Sequence, residues 1–267
     1  MRSLRELTEM RGRVALITGG AGKIGSAMAE ALAELGADIV LLDVNATALE
    51  ETANRIADQY GVQVNGLALD LEDELALQTA PSQISELHGK LDVLVNNAAF
   101  VGTSAMSGWA TSFERQSVET WKKAMDVNLT SAFALTQGCT GLLRQSGCAS
   151  VINIASIYGI HGPDLTLYEG TEMGNPAAYA ASKGGLLQLT RWLSTVLAPD
   201  VRVNAISPGG VQRGQPVEFQ ERYVKRTPLG RMAVEEDFKG AIAFLASDLS
   251  RYVTGQNIVV DGGWGVW

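Results

Sequence analysis

Val14-Ala15-Leu16-Ile17-Thr18-Gly19-Gly20-Ala21-Gly22-Lys23-Ile24-Gly25 sets the architecture of this chain. Its first four residues are a short apolar run that stops in a cluster of glycines. From there to Leu35, Ala and Leu recur at helical spacing. The segment therefore reads as strand, loop and helix. Gly36 closes the helix and Asp38-Ile39-Val40-Leu41-Leu42 follows as a second strand, so residues 14 to 42 make one βαβ unit. Further short apolar or β-branched runs occupy Val62 to Leu69, Val93 to Val95, Val151 to Ile154, Val201 to Ile206 and Ile258 to Val260, with helical patterns between most of them. These runs are apolar throughout and do not alternate with polar residues, as strands covered on both faces by helices must be. The sequence thus predicts an α/β fold with one doubly wound, seven-stranded parallel sheet. Nothing of solenoid period, low complexity or Pro/Ser-rich linker character marks a second domain, so residues 1–267 are expected to form one.

Composition narrows the partners. The chain has 267 residues, 46% hydrophobic and 19% charged, enough for one large core. Its formal charge of −8 opposes nucleic acid and anionic membrane, both of which call for clustered Lys and Arg, and leaves small molecules as the expected partners. Cys139 and Cys148 are the only cysteines, with no CxxC and no metal-ligand spacing, so neither a disulfide framework nor a metal is expected. Residues 1–10 read as an N-terminal extension. Arg2, Arg5, Glu6, Glu9 and Arg11 punctuate it, unlike the apolar core of an export signal, and no long uninterrupted apolar run follows. A cytoplasmic protein is the expectation.

Two constellations carry chemistry. In Thr18 to Gly25 the glycines allow the backbone to turn and to approach a pyrophosphate, whose charge the N–H groups and dipole of the following helix attract. Asp43 lies 18 residues past Gly25, at the end of the second strand. A carboxylate there can accept from the ribose 2′-OH of NAD and repels the 2′-phosphate of NADP, which makes NAD(H) the expected cofactor. Lys23 is the dissenting residue, since a cation in this loop can meet a 2′-phosphate. Farther on, Tyr179-Ala180-Ala181-Ser182-Lys183 puts a phenol and an ammonium one helical turn apart. A nearby cation stabilises a phenolate, so Tyr179 is a candidate general acid–base. His88 and His161 lack a GxSxG elbow, which argues against a hydrolase.

Taken together these motifs resemble the short-chain dehydrogenase/reductase family over nearly the whole chain. The loop resembles its TGxxxGxG pattern, with Lys23 in place of the middle glycine. Asp70 in Leu69-Asp70-Leu71 resembles the family's adenine-side Asp, Asn96-Asn97-Ala98-Ala99 its NNAG motif, and Ser207-Pro208-Gly209-Gly210-Val211 its PG loop, with Arg213 where Thr is common. The resemblance implies a Rossmann fold. Beyond Tyr179 and Lys183 it implies cofactor contacts from Gly19, Gly22, Lys23, Ile24, Gly25, Asp43, Asp70, Leu71, Asn97, Ala98, Pro208, Gly209 and Val211. It also implies a catalytic tetrad of Asn128, Ser156, Tyr179 and Lys183. Tyr179 would exchange a proton with the substrate oxygen, Ser156 would hydrogen-bond that oxygen, Lys183 would lower the Tyr pKa and hold the nicotinamide ribose, and Asn128 would position a water leading to solvent. A homotetramer, with the Trp-rich tail Gly263 to Trp267 at an interface, is implied as well.

The alternatives are a 3-oxoacyl-carrier-protein reductase, which usually prefers NADPH, and a non-catalytic NAD-sensing protein, which an intact tetrad opposes. Ser156 and Tyr179 lie 23 residues apart, longer than the family habit. Residues 159–176 thus read as an active-site insertion rich in hydrogen-bonding groups. That content suits a sugar or sugar-derived ligand, with Tyr158, His161 and Glu169 as candidate substrate contacts. Tyr168-Glu169-Gly170-Thr171-Glu172-Met173 also resembles an insert of family members linked to bacterial surface-sugar and flagellin-glycan biosynthesis.

Overall fold

A computed structural model describes residues 1–103 and 105–267. Seven strands, β1 (Val14–Thr18), β2 (Asp38–Asp43), β3 (Val64–Ala68), β4 (Val93–Asn96), β5 (Ala149–Ile154), β6 (Val201–Pro208) and β7 (Asn257–Val260), form one sheet in the order β3-β2-β1-β4-β5-β6-β7. Every neighbouring pair is parallel, as expected. All five residues of β1 are buried, because both faces are covered.

Successive strand residues point to opposite faces. Ala15, Ile17, Ile39, Leu41, Val93 and Val95 pack against Met28 and Leu32 of α2 (Lys23–Glu34), Ile56 of α3 (Ala46–Tyr60) and Ile242 and Leu245 of a later helix (Lys239–Ala246). Their neighbours Leu16, Val40, Leu42 and Leu94 pack on the other side. There they meet Leu77 and Ile84 of α4 (Glu74–His88), Leu135 and Leu143 of α6 (Ser131–Ser146) and Leu193 of α7 (Ala177–Val196). Each such buried side chain stabilises the fold by roughly 1.5–3 kcal/mol over exposure. The remaining helices are α1 (Leu4–Thr8), α5 (Val118–Met125) and α8 (Val217–Arg226), and the Lys239–Ala246 helix is α9. No helix of the described residues is long and apolar enough to cross a membrane.

Local chemistry explains the boundaries. Asn45 and Asp73 cap α3 and α4 by accepting backbone N–H groups of the first turn. By contrast, α2 begins at Gly22 with no side-chain cap, which leaves its first N–H groups for another acceptor. The third strand is shorter than the Val62 to Leu69 expected from sequence. It is an edge strand paired with β2 alone, and only its central residues continue the ladder. The N-terminal extension is tied down: Ser3 and Glu6 form a capping box on α1, and Arg2 and Arg13 both pair with Asp248 at 2.5 and 2.7 Å.

Strand order reverses between β1, whose chain continues to β2, and its other neighbour β4. Loops after these two strands diverge to opposite faces and leave a crevice at the strand ends.

Candidate active site

Two adjoining cavities fill that crevice. The first, about 450 Å³, is lined by Gly19, Gly22, Lys23, Ile24 and Gly25 of the loop and first turn of α2, and by Asp43 at the end of β2. Asp70 and Leu71 after β3, and Asn97 and Ala98 after β4, complete it. The loop is tight. Gly19 has φ +64°, and a Cβ there would lie 2.9 Å from Ala98 Cα. At Gly25 a Cβ would stand 2.2 Å from Gly19 O, so only glycine lets α2 start this close to the strand ends. Thr18 Oγ1 accepts from the N–H groups of Asn97 and Ala98, both at 3.0 Å, while Asn97 Nδ2 donates to Thr18 O at 2.9 Å. The loops after β1 and β4 are thus locked together under the cavity. Asp43 accepts from Ala21 N and Asn45 N, each at 3.1 Å, which holds its carboxylate at the rim. Asp70 likewise accepts from Glu72 N at 2.9 Å.

The second cavity, about 470 Å³, gathers Ser156 from the end of β5, Tyr179 and Lys183 from α7, and Pro208, Gly209 and Val211 from the end of β6 and the loop after it. Ile24, Asn97, Ala99, Val101 and Arg213 line both cavities and form the seam between them. Lys183 is only 2% exposed, and its Nζ donates to Ile154 O at 2.7 Å. Burial pushes its pKa down to about 8. Burial also raises the Tyr179 phenol above its ordinary value, opposed by a hydrogen bond with Ser156. The ammonium sits 5.9 Å from the ring centre, turned to a carbonyl, and desolvation outweighs its field.

Asn128 does not line either cavity. It sits in a π-helical turn, Asp126–Thr130, between α5 and α6. Its side chain is fully engaged, accepting from Phe100 N at 2.6 Å and donating to Phe100 O and to Ser182 Oγ at 3.3 and 3.0 Å. These bonds tie the loop after β4 to the residue before Lys183.

The insertion divides the sequence-derived substrate contacts. Tyr158 lines the second cavity, its hydroxyl 2.7 Å from that of Tyr168, and burial pushes its pKa upward. Glu169 does not reach the cavity. Its side chain is exposed, and its carbonyl accepts from Arg222 on α8 at 2.5 Å. His161 packs against Trp264 instead, ring centres 6.3 Å apart. Asp164 is engaged by Arg226 at 2.5 Å. The insertion is thus docked on α8 through Asp164 and the Glu169 carbonyl. The tail is anchored from within the chain. Trp264 is 1% exposed, stacked 5.8 Å from Tyr223 at 16° and beneath Arg226 at 4.2 Å, within its own chain. Only Val266 and Trp267 remain exposed. His88 is a structural partner of Asn65, at 3.0 Å.

Sequence reasoning placed Tyr168 in the insertion but did not find Phe219, Tyr223 and Met232, which line the second cavity with it. The one signal for them was an aromatic pair, Phe219 and Tyr223, at i and i+4 in α8.

The profile of the family described as enoyl-(acyl carrier protein) reductase matches residues 19–265. The chain belongs to the short-chain dehydrogenase/reductase family. It is 31% identical over 260 residues to the 3-oxoacyl-(acyl-carrier-protein) reductase of Aquifex aeolicus, covering 96% of this chain and 98% of that one. The post-translational flagellin modification protein A of Campylobacter coli is 28% identical over 259 residues, covering 96% and 100%. Among solved structures, a gluconate 5-dehydrogenase from Burkholderia cenocepacia, in complex with NADP and tartrate, superposes with a TM-score of 0.87 at 28% identity, covering 99% and 100%. As a family member, the chain is an oxidoreductase.

Proposed function

We propose that this oxidoreductase is NAD(H)-dependent and interconverts a secondary alcohol and a ketone on a sugar or sugar-derived substrate, in the cytoplasm. The observation that carries the reading is the convergence of Ser156, Tyr179 and Lys183 on one cavity that shares a wall with the cavity edged by Asp43. The residues fit a dinucleotide: the uncapped start of α2 offers N–H groups to a pyrophosphate, and the Gly19–Gly25 contact admits no side chain between them. A bound nicotinamide supplies or accepts the hydride. Tyr179 then gives its phenolic proton to the carbonyl oxygen in reduction, or takes one from the alcohol in oxidation. Ser156 hydrogen-bonds the same oxygen and fixes it beside the phenol. Lys183, one turn from Tyr179, would hold the nicotinamide ribose and present its charge to the phenol.

For the substrate, the support is the Tyr158–Tyr168 hydroxyl pair in the wall, together with the names of the gluconate and flagellin-modifying relatives. A 3-oxoacyl-carrier-protein reductase is the second reading, favoured by the Aquifex relative. Against it, Arg222 and Arg226 of α8 are spent on the insertion and are not free for an acidic carrier.

Steady-state kinetics with each cofactor test the proposal. kcat/KM should favour NAD(H) by about tenfold or more, and Asp43→Ala should narrow the gap, because like-charge repulsion at the 2′ position is lost. Preference of the native enzyme for NADP(H) would mean that Lys23 prevails over Asp43 and would refute the cofactor assignment.

A further inference from the structure

One cation stands on the seam between the two cavities. Of the five residues that line both, Ile24, Asn97, Ala99 and Val101 are uncharged and the fifth is Arg213. On the nicotinamide reading proposed for this crevice, on which the role of Arg213 rests, the adenosine half of the cofactor belongs beside Asp43 and Asp70 and the nicotinamide half beside Tyr179 and Lys183. Its pyrophosphate, carrying the molecule's negative charge, must then cross the seam between Ile24, in the first turn of α2, and Arg213. The first cavity is otherwise acidic. Asp43, Asp70 and Glu72 line it against Lys23 and Arg213. A doubly charged diphosphate there meets the free N–H groups at the start of α2 and Lys23, and Arg213 adds a cation at the seam itself.

Arg213 is placed for this. It follows the Pro208–Val211 loop, opposite the start of α2, and it is 29% exposed. Its backbone N–H donates to Gln215 Oε1 at 2.7 Å, and the amide of Gln215 donates to Val211 O at 2.7 Å, which fixes the base of the side chain. Its guanidinium pairs with one residue among those described, Glu235, whose side chain is equally exposed. A half-exposed ion pair is weakly held and exchanges readily for a better partner. A diphosphate offers several acceptor oxygens to the planar guanidinium.

We propose that Arg213 is a cofactor-clamping residue that leaves Glu235 to bind the pyrophosphate, closing over it from the side opposite the helix start. It is not a catalytic residue. It contributes charge and orientation, and it couples the adenosine and nicotinamide halves of the crevice.

Fluorescence and calorimetric titrations with NADH, ADP-ribose and adenosine test this without turnover. Arg213→Gln should weaken NADH and ADP-ribose alike by about tenfold or more, the scale of one charge-assisted hydrogen bond. Adenosine, which has no phosphate, should stay within about twofold. Arg213→Lys should recover part of the loss, and Glu235→Gln should bind NADH at least as tightly as the native protein. Unchanged NADH and ADP-ribose dissociation constants in Arg213→Gln, with KM for the organic substrate raised, would assign the arginine to the substrate and overturn the proposal. So would a Glu235→Gln protein that loses NADH as severely as Arg213→Gln, since the pair would then be structural. Failure of the native protein to bind either NADH or ADP-ribose would overturn the nicotinamide reading itself, a different result from equal binding by native and variant.

Discussion

Tyr179 and Lys183 stand one turn apart on α7, and desolvation drives both toward their neutral forms, the phenol upward and the ammonium down to about 8. Ser156 lines the same cavity as both. Removing only the transferable proton isolates the role of Tyr179. Tyr179→Phe should lower kcat by about 10²-fold or more, the usual size of a general acid–base contribution, with the NADH dissociation constant within about twofold of native. Stopped-flow turnover and fluorescence titration measure the two separately. A Phe variant with near-native kcat would remove Tyr179 from the chemistry. The i,i+4 spacing of this pair was legible in the sequence. The direction in which each group titrates was not, because it depends on how much protein surrounds it and on the Ile154 carbonyl that Lys183 finds across the fold.

At the scale of elements, the substrate wall is assembled from three pieces far apart in the chain: the insertion, α8 and the tail. Arg222 donates to the carbonyl of Glu169, Arg226 joins Asp164, Tyr168 lies 5.4 Å from Phe219, and Trp264 stacks on Tyr223. Trp267 Nε1 closes the unit on Arg226 O at 3.1 Å. Removing the central ring should loosen the whole wall. Trp264→Ala should cost about 3–5 kcal/mol of stability, the range for truncating a buried Trp, and should raise KM more than it changes the NADH dissociation constant. Chemical denaturation and initial-rate kinetics read these effects, whereas a native-like Tm would show that the tail only covers the wall. Nothing local in Gly263 to Trp267 said that Trp264 would fold inward onto Tyr223. The π-helical turn at Asn128 and its ties to Phe100 and Ser182 were equally silent, since those partners lie far off in the chain.

For the whole molecule, the sheet order brings Asp43, Ser156, Tyr179 and Lys183 to one crevice at the strand ends, and it leaves apolar groups elsewhere. Val118 and Trp121 of α5, Phe133 of α6, and Trp192 and Val196 of α7 are all at least 40% exposed. Helices that expose large apolar side chains are covered in closed, symmetric assemblies. The enzyme is accordingly expected to be a homotetramer. Light scattering should find four times the 28.4 kDa chain mass, and Trp192→Asp should shift the particle to a smaller species. A native particle of 28.4 kDa would end this expectation.

Periodicity and glycine placement determined by themselves that this chain builds a parallel α/β sheet, since continuous apolar strand runs and tight strand-to-helix turns are local demands on residue type. Val14 to Gly25, Asp43 and the Tyr179–Lys183 pair could be read for the same reason: their chemistry is carried within one strand, turn or helix. Tertiary structure alone decided that Glu169 and His161 turn away from the cavity, that Asn128 acts through hydrogen bonds within the protein, and that Arg213 stands on the seam between two halves of the crevice. Each of these rests on contacts between segments distant in the chain, and such contacts exist only once the sheet has brought the strand ends together.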